Sequence, residues 1–160
     1  MATSLPHRGS RLPAGAAGPP RRVADVMTRG PAVATLDTTV AQAFRILTEG
    51  PLHHLPVVDA QGRLVGMLAD RDLLQWMPPP SPEPLLLEAW ARLAGRRVGD
   101  LMVEAVLTAA EDDPLELAVE LMAGERLTAL AVVGDDGRPV GVLALEDVAD
   151  ALAAALRPVR

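Results

Sequence analysis

Between Val40 and Leu47 the apolar residues Val40, Ala43, Phe44 and Leu47 recur at i, i+3, i+4 and i+7, the stripe of an amphipathic helix. A short apolar run at 55–58 follows, and its length and β-branched content predict a buried strand. Asp59-Ala60-Gln61-Gly62 reads as a turn and residues 63–68 as a returning strand, which makes the segment a hairpin. A second helix is expected from about 70 to 77. All of these signals then come back. A shift of 75 residues carries Val23 onto Val98 and the stretch up to Asp72 onto Asp147 without a gap, with about a third of the positions identical. The helix stripe becomes Leu115, Ala118, Val119 and Met122, the strands become 130–133 and 138–143, and the closing helix runs from about 146 to 156. Thr38 in the first copy, and Asp113 followed by Pro114 in the second, read as helix N-caps.

Two copies of one supersecondary unit, each too small to bury a face alone, are expected to stack into one body with a cleft between them. The organisation is a leader at 1–22, a first repeat at 23–77, a Pro-rich linker and connecting helix at 78–97, and a second repeat at 98–156. The leader is rich in Pro, Gly, Ala and Arg with no acid, and such a composition predicts disorder. A weak phosphate contact by Arg8, Arg11, Arg21 and Arg22, or an organelle address, are the alternatives. Its Ala-Gly-Pro-Arg flavour suggests a bacterial source. In the linker, the prolines from Pro78 to Pro84 end the first closing helix. Residues 85–94 then look helical, with Leu86, Leu87, Trp90 and Leu93 placed against a repeat or a partner chain. Trp90 reads either as ordinary packing or as an exposed dimer anchor.

The apolar fraction of 49% suffices for a core, but with Trp76, Trp90 and Phe44 as the only aromatics it must be built from Val, Leu, Ala and Met. The formal charge of −6 argues against a nucleic-acid partner, which calls for a basic face. Without cysteine there are no disulfides or thiolate metal sites, which fits the cytoplasm. No apolar run approaches the ~18–20 residues needed to span a bilayer. Enzymatic readings are poor. His7, His53 and His54 are the only histidines, the His53-His54 pair with Asp59 lacks metal-ligand spacing, and no phosphate-loop or dinucleotide fingerprint occurs.

Three motifs recur in order at fixed spacing. They are Val-Ala-Asp-Val-Met against Val-Gly-Asp-Leu-Met, Leu-Pro-Val-Val with its Gly turn against Leu-Ala-Val-Val, and a Gly-hydrophobic-hydrophobic stretch ending on Asp72 or Asp147. In these the chain resembles a tandem pair of cystathionine-β-synthase-type (CBS) domains, the Bateman module, over residues 23 to about 156. The resemblance implies a mixed α+β fold, two pseudo-twofold-related β-α-β-β-α repeats packed through their sheets. It also implies a non-enzymatic sensor that needs no cofactor and takes AMP, ADP, ATP or S-adenosylmethionine in clefts between the repeats. A disc-shaped homodimer and a separate effector protein go with that reading.

The resemblance also points to residues. Relatives place a Thr or Ser at the strand-to-helix junction and, three residues on, an Asp that holds the ribose hydroxyls; a carboxylate suits a vicinal diol because it accepts two hydrogen bonds. The acids that match are Asp72 and Asp147, and either acid also helps a helix dipole by ~0.3–1 kcal/mol without any ligand. The hydroxyl position is Ala69 in one copy and Ala144 in the other, which removes a cap and a phosphate handle. Arg71 precedes Asp72 where Glu146 precedes Asp147. Arg71, His53 and His54 therefore mark the first cleft as the anion site, with surface histidines and a salt-bridging arginine as the alternative. The adenine is expected against Val33 and Thr35 with Leu55-Pro56, and against Thr108 and Ala110 with Leu130. A scaffold of the same fold that has lost its ligand is the competing function.

Overall fold

The computed structural model describes residues 20–50, 53–76 and 82–156, so the expected leader up to residue 19 and the Pro-rich stretch at 77–81 lie outside the described residues. In the first repeat, β1 (Thr28–Arg29) and β2 (Ala34–Thr35) precede α1 (Val40–Glu49), the hairpin β3 (His54–Val58) and β4 (Leu64–Ala69), and α2 (Asp70–Gln75). The connecting helix α3 (Glu83–Ala94) leads to β5 (Thr108–Ala109), α4 (Leu115–Glu125), β6 (Ala129–Val133), β7 (Pro139–Ala144) and α5 (Leu145–Ala155). α3 begins two residues before the expected 85, because Pro84 falls in its first turn, where no donor is needed.

Each hairpin is anchored by a turn glycine with positive φ, Gly62 at 80° and Gly137 at 75°. The parallel neighbours match too: β2 pairs with β3 and β5 with β6, while the hairpins pair antiparallel and both carry an irregularity, between Val57 and Val58 and between Val132 and Val133.

The repeat in the sequence is not the packing unit. β1 leaves its own repeat and pairs antiparallel with β7, Thr28 opposite Val142. The counterpart crossing brings Val103 to bridge Met67 on β4. A second matched couple, Arg22 with Pro114 and Thr39 with Arg97, fastens the start of each opening segment to the helix cap of the other repeat. Accordingly Val23, Val26 and Met27 are buried in the core of the second repeat with Leu115, Met122 and Leu130. Val98 and Leu101 are buried in that of the first with Val40, Leu55 and Leu68. Arg21 and Arg22, at the end of the expected leader, are held in place: the Arg21 carbonyl accepts from the Leu115 N–H, and Arg22 Nη1 donates to Asp112 at 2.6 Å.

Strand alternation sorts the remaining buried residues. Leu55, Val57, Leu68, Leu130, Val132 and Leu143 belong to the two helix-side cores. Pro56, Met67, Ala69, Ala131, Val142 and Ala144 are buried on the opposite faces, so the two sheets meet through Ala, Val, Pro and Met side chains.

Both helix caps are shifted by one residue from the sequence expectation. Thr39, not Thr38, caps α1, its hydroxyl accepting from the Gln42 N–H at 3.2 Å while Gln42 Oε1 accepts from the Thr39 N–H. α4 has Pro114 at its N-cap with no side-chain cap. Thr38 and Asp113 close the preceding turn instead, accepting from the Thr35 and Ala110 N–H groups at 2.9 and 2.7 Å. A short polar side chain satisfies a backbone donor equally well in a turn, and here the turn wins in both copies.

Candidate functional site

Where the 102–108 segment passes over β4, a cavity of about 260 Å3 opens between the repeats. The first repeat supplies Leu64, Val65 and Gly66; the second supplies Glu104, Val106 and Thr108, with Val133 and Gly137 of its hairpin. The Gly137 carbonyl accepts from the Leu64 N–H at 2.9 Å and ties the two hairpins together. The symmetry-related bond cannot form, since Pro139 stands where Leu64 stands and has no N–H. The larger cavity, about 320 Å3, lies elsewhere, between α1, α2 and α3, with the His53–Asp70 pair on its lining.

The closing acids stand in corresponding positions with different surroundings. Asp72, half-buried in the first turn of α2, accepts from the Ala69 N–H at 2.9 Å through Oδ2. Asp147 occupies the same place on α5, where burial raises its carboxyl above the usual carboxylate range, with Glu146 and Asp150 adding. The Ala144 N–H and the Thr28 hydroxyl pull against that rise. Thr28 comes from the first repeat, so the crossing makes Asp147 face the opening segment of the other copy, a neighbour that the order of residues did not suggest.

Around the seam between the sheets the structure gathers His53, His54, Asp70 and Arg71 with Thr128 and Glu146. His54, half-buried, shares a hydrogen bond with the Thr128 hydroxyl at 3.0 Å, a direct side-chain link between the two repeats. His53 Nδ1 lies 2.7 Å from Asp70 Oδ2. The hydrogen bond to Asp70 raises the His53 pKa above its usual value against some burial, with the charges of Asp70 and Glu146 helping. Burial lowers that of His54, Arg71 adding to the effect while Glu146 and Asp70 oppose it. Asp70 in turn is lifted by burial but held below the usual range overall by the His53 hydrogen bond and the Arg71 N–H. Arg71 and Glu146, expected in separate clefts, thus act on the same histidine.

These opposite shifts give a pH signature. A raised histidine stabilises the fold fully below about pH 6.5 and loses that contribution as pH climbs through its folded value; a depressed one contributes above about pH 6.5 and loses it as the solution becomes acidic. Relative to wild type, His53→Gln is therefore expected to lose thermal stability as pH falls from about 7.5 to 5.5, and His54→Gln to gain it. Melting curves across that window check this, and parallel profiles for the two variants would contradict it.

The remaining expected site residues fall into two groups. Thr108 on β5 is exposed and lines the 260 Å3 cavity; Val33, Thr35 and Ala110 are exposed at or beside β2 and β5. Thr35 and Ala110 spend their N–H groups on the turns described above. Ala69 and Ala144 are buried at the ends of β4 and β7, and Pro56 is buried on β3, all on the seam. Leu130 and Leu55 are fully buried on the helix side of their strands, so neither side chain reaches a cleft; their alternation within the strand puts Ala131 and Pro56 there instead. Sequence reasoning missed Thr28, Glu104 and Thr128. Adding 75 to Thr28 and Arg29 finds Val103 and Glu104, but only the crossing shows that these positions matter.

Trp90 takes the packing alternative, half-buried and edge-on to Phe44 with ring centroids 5.8 Å apart. No metal-holding group of His, Cys, Asp or Glu occurs among the described residues, and no helix among them is long and apolar enough to cross a membrane.

Comparison with known proteins gives a consistent picture. The family model for the CBS domain matches residues 23–79 and 98–154. A CBS domain-containing protein of Dictyostelium discoideum is 30% identical over 137 residues, which is 86% of this chain and 94% of that protein. Several other curated relatives are enzymes, and of four of these the chain spans only 21–23% of the length. Among solved structures, CBSX2 in complex with AMP is 30% identical with a TM-score of 0.70, covering 85% of this chain and 99% of that one. The CBS domain pair of protein MJ0100, in complex with 5′-methylthioadenosine and S-adenosylmethionine, is 26% identical with a TM-score of 0.67, covering 83% and 96%.

Proposed function

The chain belongs to the CBS domain family, as a tandem pair, and from that premise we propose that it is a non-enzymatic regulatory module that binds an adenosine-containing ligand between its repeats. The observation that carries the proposal is the inter-repeat cavity at the crossing, walled by Leu64, Val65 and Gly66 of one repeat and by Glu104, Val106 and Thr108 of the other. At the counterpart crossing, beside Thr28, Asp147 is an acid held in a costly environment, a feature that recurs at binding sites. AMP, ADP, ATP and S-adenosylmethionine are the candidate ligands, and no further cofactor is required.

A ligand that touches both repeats stabilises one relative angle over others, and that differential affinity is what sensing consists of. Its output goes to a separate effector protein in the cytoplasm. Association into a homodimer fits the leucines left uncovered on the outer helices, Leu117 on α4, Leu152 on α5 and Leu156 just beyond it.

One arrangement favours the scaffold reading. Ala69 and Ala144 offer no hydroxyl, and Asp72 already serves the Ala69 N–H. A thermal-shift panel of AMP, ADP, ATP, S-adenosylmethionine and 5′-methylthioadenosine separates the two readings. A ligand at about 100 times its Kd adds ~2.7 kcal/mol, a rise of about 5–11 °C for a chain of this size. A response to at least one compound is the expected result; an unmoved midpoint with all five would leave the scaffold.

A further inference from the structure

The cavity of about 320 Å3 between α1, α2 and α3 shares no lining residue with the inter-repeat cavity and is built by the first repeat and the connecting helix. Leu47, Leu73 and Leu93, one from each helix, are buried in its lining, and the edge-on aromatic pair Phe44 and Trp90 lines it too. Three polar side chains complete it, Thr48, His53 and Asp70. The 75-residue shift carries Phe44, Thr48, His53 and Asp70 onto Val119, Ala123, Thr128 and Leu145. The aromatic and polar lining therefore belongs to the first copy alone and is not a packing gap common to both repeats.

The hydrogen bonds already made decide what the polar groups can still offer. The Thr48 hydroxyl gives its one proton to the carbonyls of Phe44 and Arg45, at 2.9 and 3.1 Å, and keeps its lone pairs. Asp70 is a carboxylate and only accepts, so His53 donates to it through Nδ1, which leaves Nε2 of the neutral ring an acceptor. All three groups accept, and none has a proton to give. A charged head group gains little: Asp70 repels an anion, a cation must compete with His53, and the apolar walls strip water from either. At about 320 Å3 the space is roughly twice the ~150 Å3 that takes one benzene ring. We propose that this cavity is a second ligand site, taking an uncharged aromatic molecule of about two fused rings with one N–H or O–H donor. Its rings lie against Phe44 and Trp90, and its donor is received by Thr48 or the His53–Asp70 pair. The site does not depend on the adenosine reading, and neither stands or falls with the other.

Calorimetric titration of the full chain with indole, benzofuran and indole-3-carboxylate tests this, in buffer alkaline enough to keep His53 neutral. Benzofuran has the shape of indole without the N–H, and the carboxylate keeps the N–H but adds a charge. Indole should bind about two- to tenfold more tightly than benzofuran, the worth of one neutral hydrogen bond, and more tightly than indole-3-carboxylate. Thr48→Trp, at an exposed position of α1, puts an indole of the protein's own into the space and should weaken added indole by about tenfold or more at a melting midpoint near that of wild type. Equal binding of indole and benzofuran, or tighter binding of the carboxylate, would overturn the assigned ligand chemistry. Failure of indole to bind wild type, or binding that survives Thr48→Trp, would overturn the site itself.

Discussion

Replacing Gly66 or Gly141 by alanine should destabilise the protein by about 2 kcal/mol each, a fall in melting midpoint of about 4–8 °C. The two glycines are the places where an opening segment of one repeat lies directly on the closing strand of the other. A Cβ on Gly66 would run into Met102 Sδ and come within 2.9 Å of the Val103 carbonyl oxygen; on Gly141 it would lie 2.7 Å from Met27 Sδ and 2.9 Å from the Thr28 carbonyl oxygen. A methionine tip can swing aside, but a backbone carbonyl within a paired strand can retreat only if the pairing loosens. Gly124, inside α4, is the internal control: a Cβ there meets nothing within 4 Å. Gly124→Ala should therefore stabilise by roughly 0.5–1 kcal/mol through helix propensity alone. Denaturant melts of the three variants check the contrast, and equal small effects at all three would mean that the repeats do not cross.

The second large effect concerns ligand affinity. Asp72→Ala should weaken a bound adenosine ligand by about 10- to 100-fold, the worth of hydrogen bonds to a charged acceptor, ~1.5–3 kcal/mol. Asp72 Oδ2 is committed to the Ala69 N–H, and Oδ1 takes no hydrogen bond among the described residues. Because alanine also leaves that N–H unserved, part of the change would be loss of fold. Asp72→Asn keeps an acceptor for Ala69 and removes the charge that suits a diol. Weak binding by Asp72→Asn with a melting midpoint near that of wild type isolates the ligand contact. Binding that survives both substitutions would leave Asp72 as a helix cap and nothing more.

How much of this was legible from the residues follows from the range of the forces involved. Helix stripes, hairpin turns and the repeat are local patterns. They place α1, α4 and both hairpins to within a residue or two. The crossings are not local: β1 is two residues long, and its partner on β7 is more than a hundred positions away. Val23-Ala24-Asp25-Val26-Met27 reads the same whichever core it fills. Thr38 and Asp113 were misplaced because capping and turn closure use the same side chains. The histidines share one sequence context, yet the Asp70 carboxylate faces one and the seam between the sheets buries the other, which no spacing reveals. Glu104 carried no motif at all; it gained meaning only once the crossing put it on the cavity wall.

The measurement that bears most directly on a ligand bridging the two repeats is a pair of titrations with 5′-methylthioadenosine, on Asp72→Asn and on Thr108→Trp. Thr108 belongs to the other repeat and lines the cavity, so an indole there fills the space without touching the acid. Each substitution alone should weaken binding of the same molecule by about tenfold or more, at melting midpoints close to wild type. Wild-type affinity in Thr108→Trp would contradict the account, because the ligand would then not occupy the cleft that the crossed repeats build.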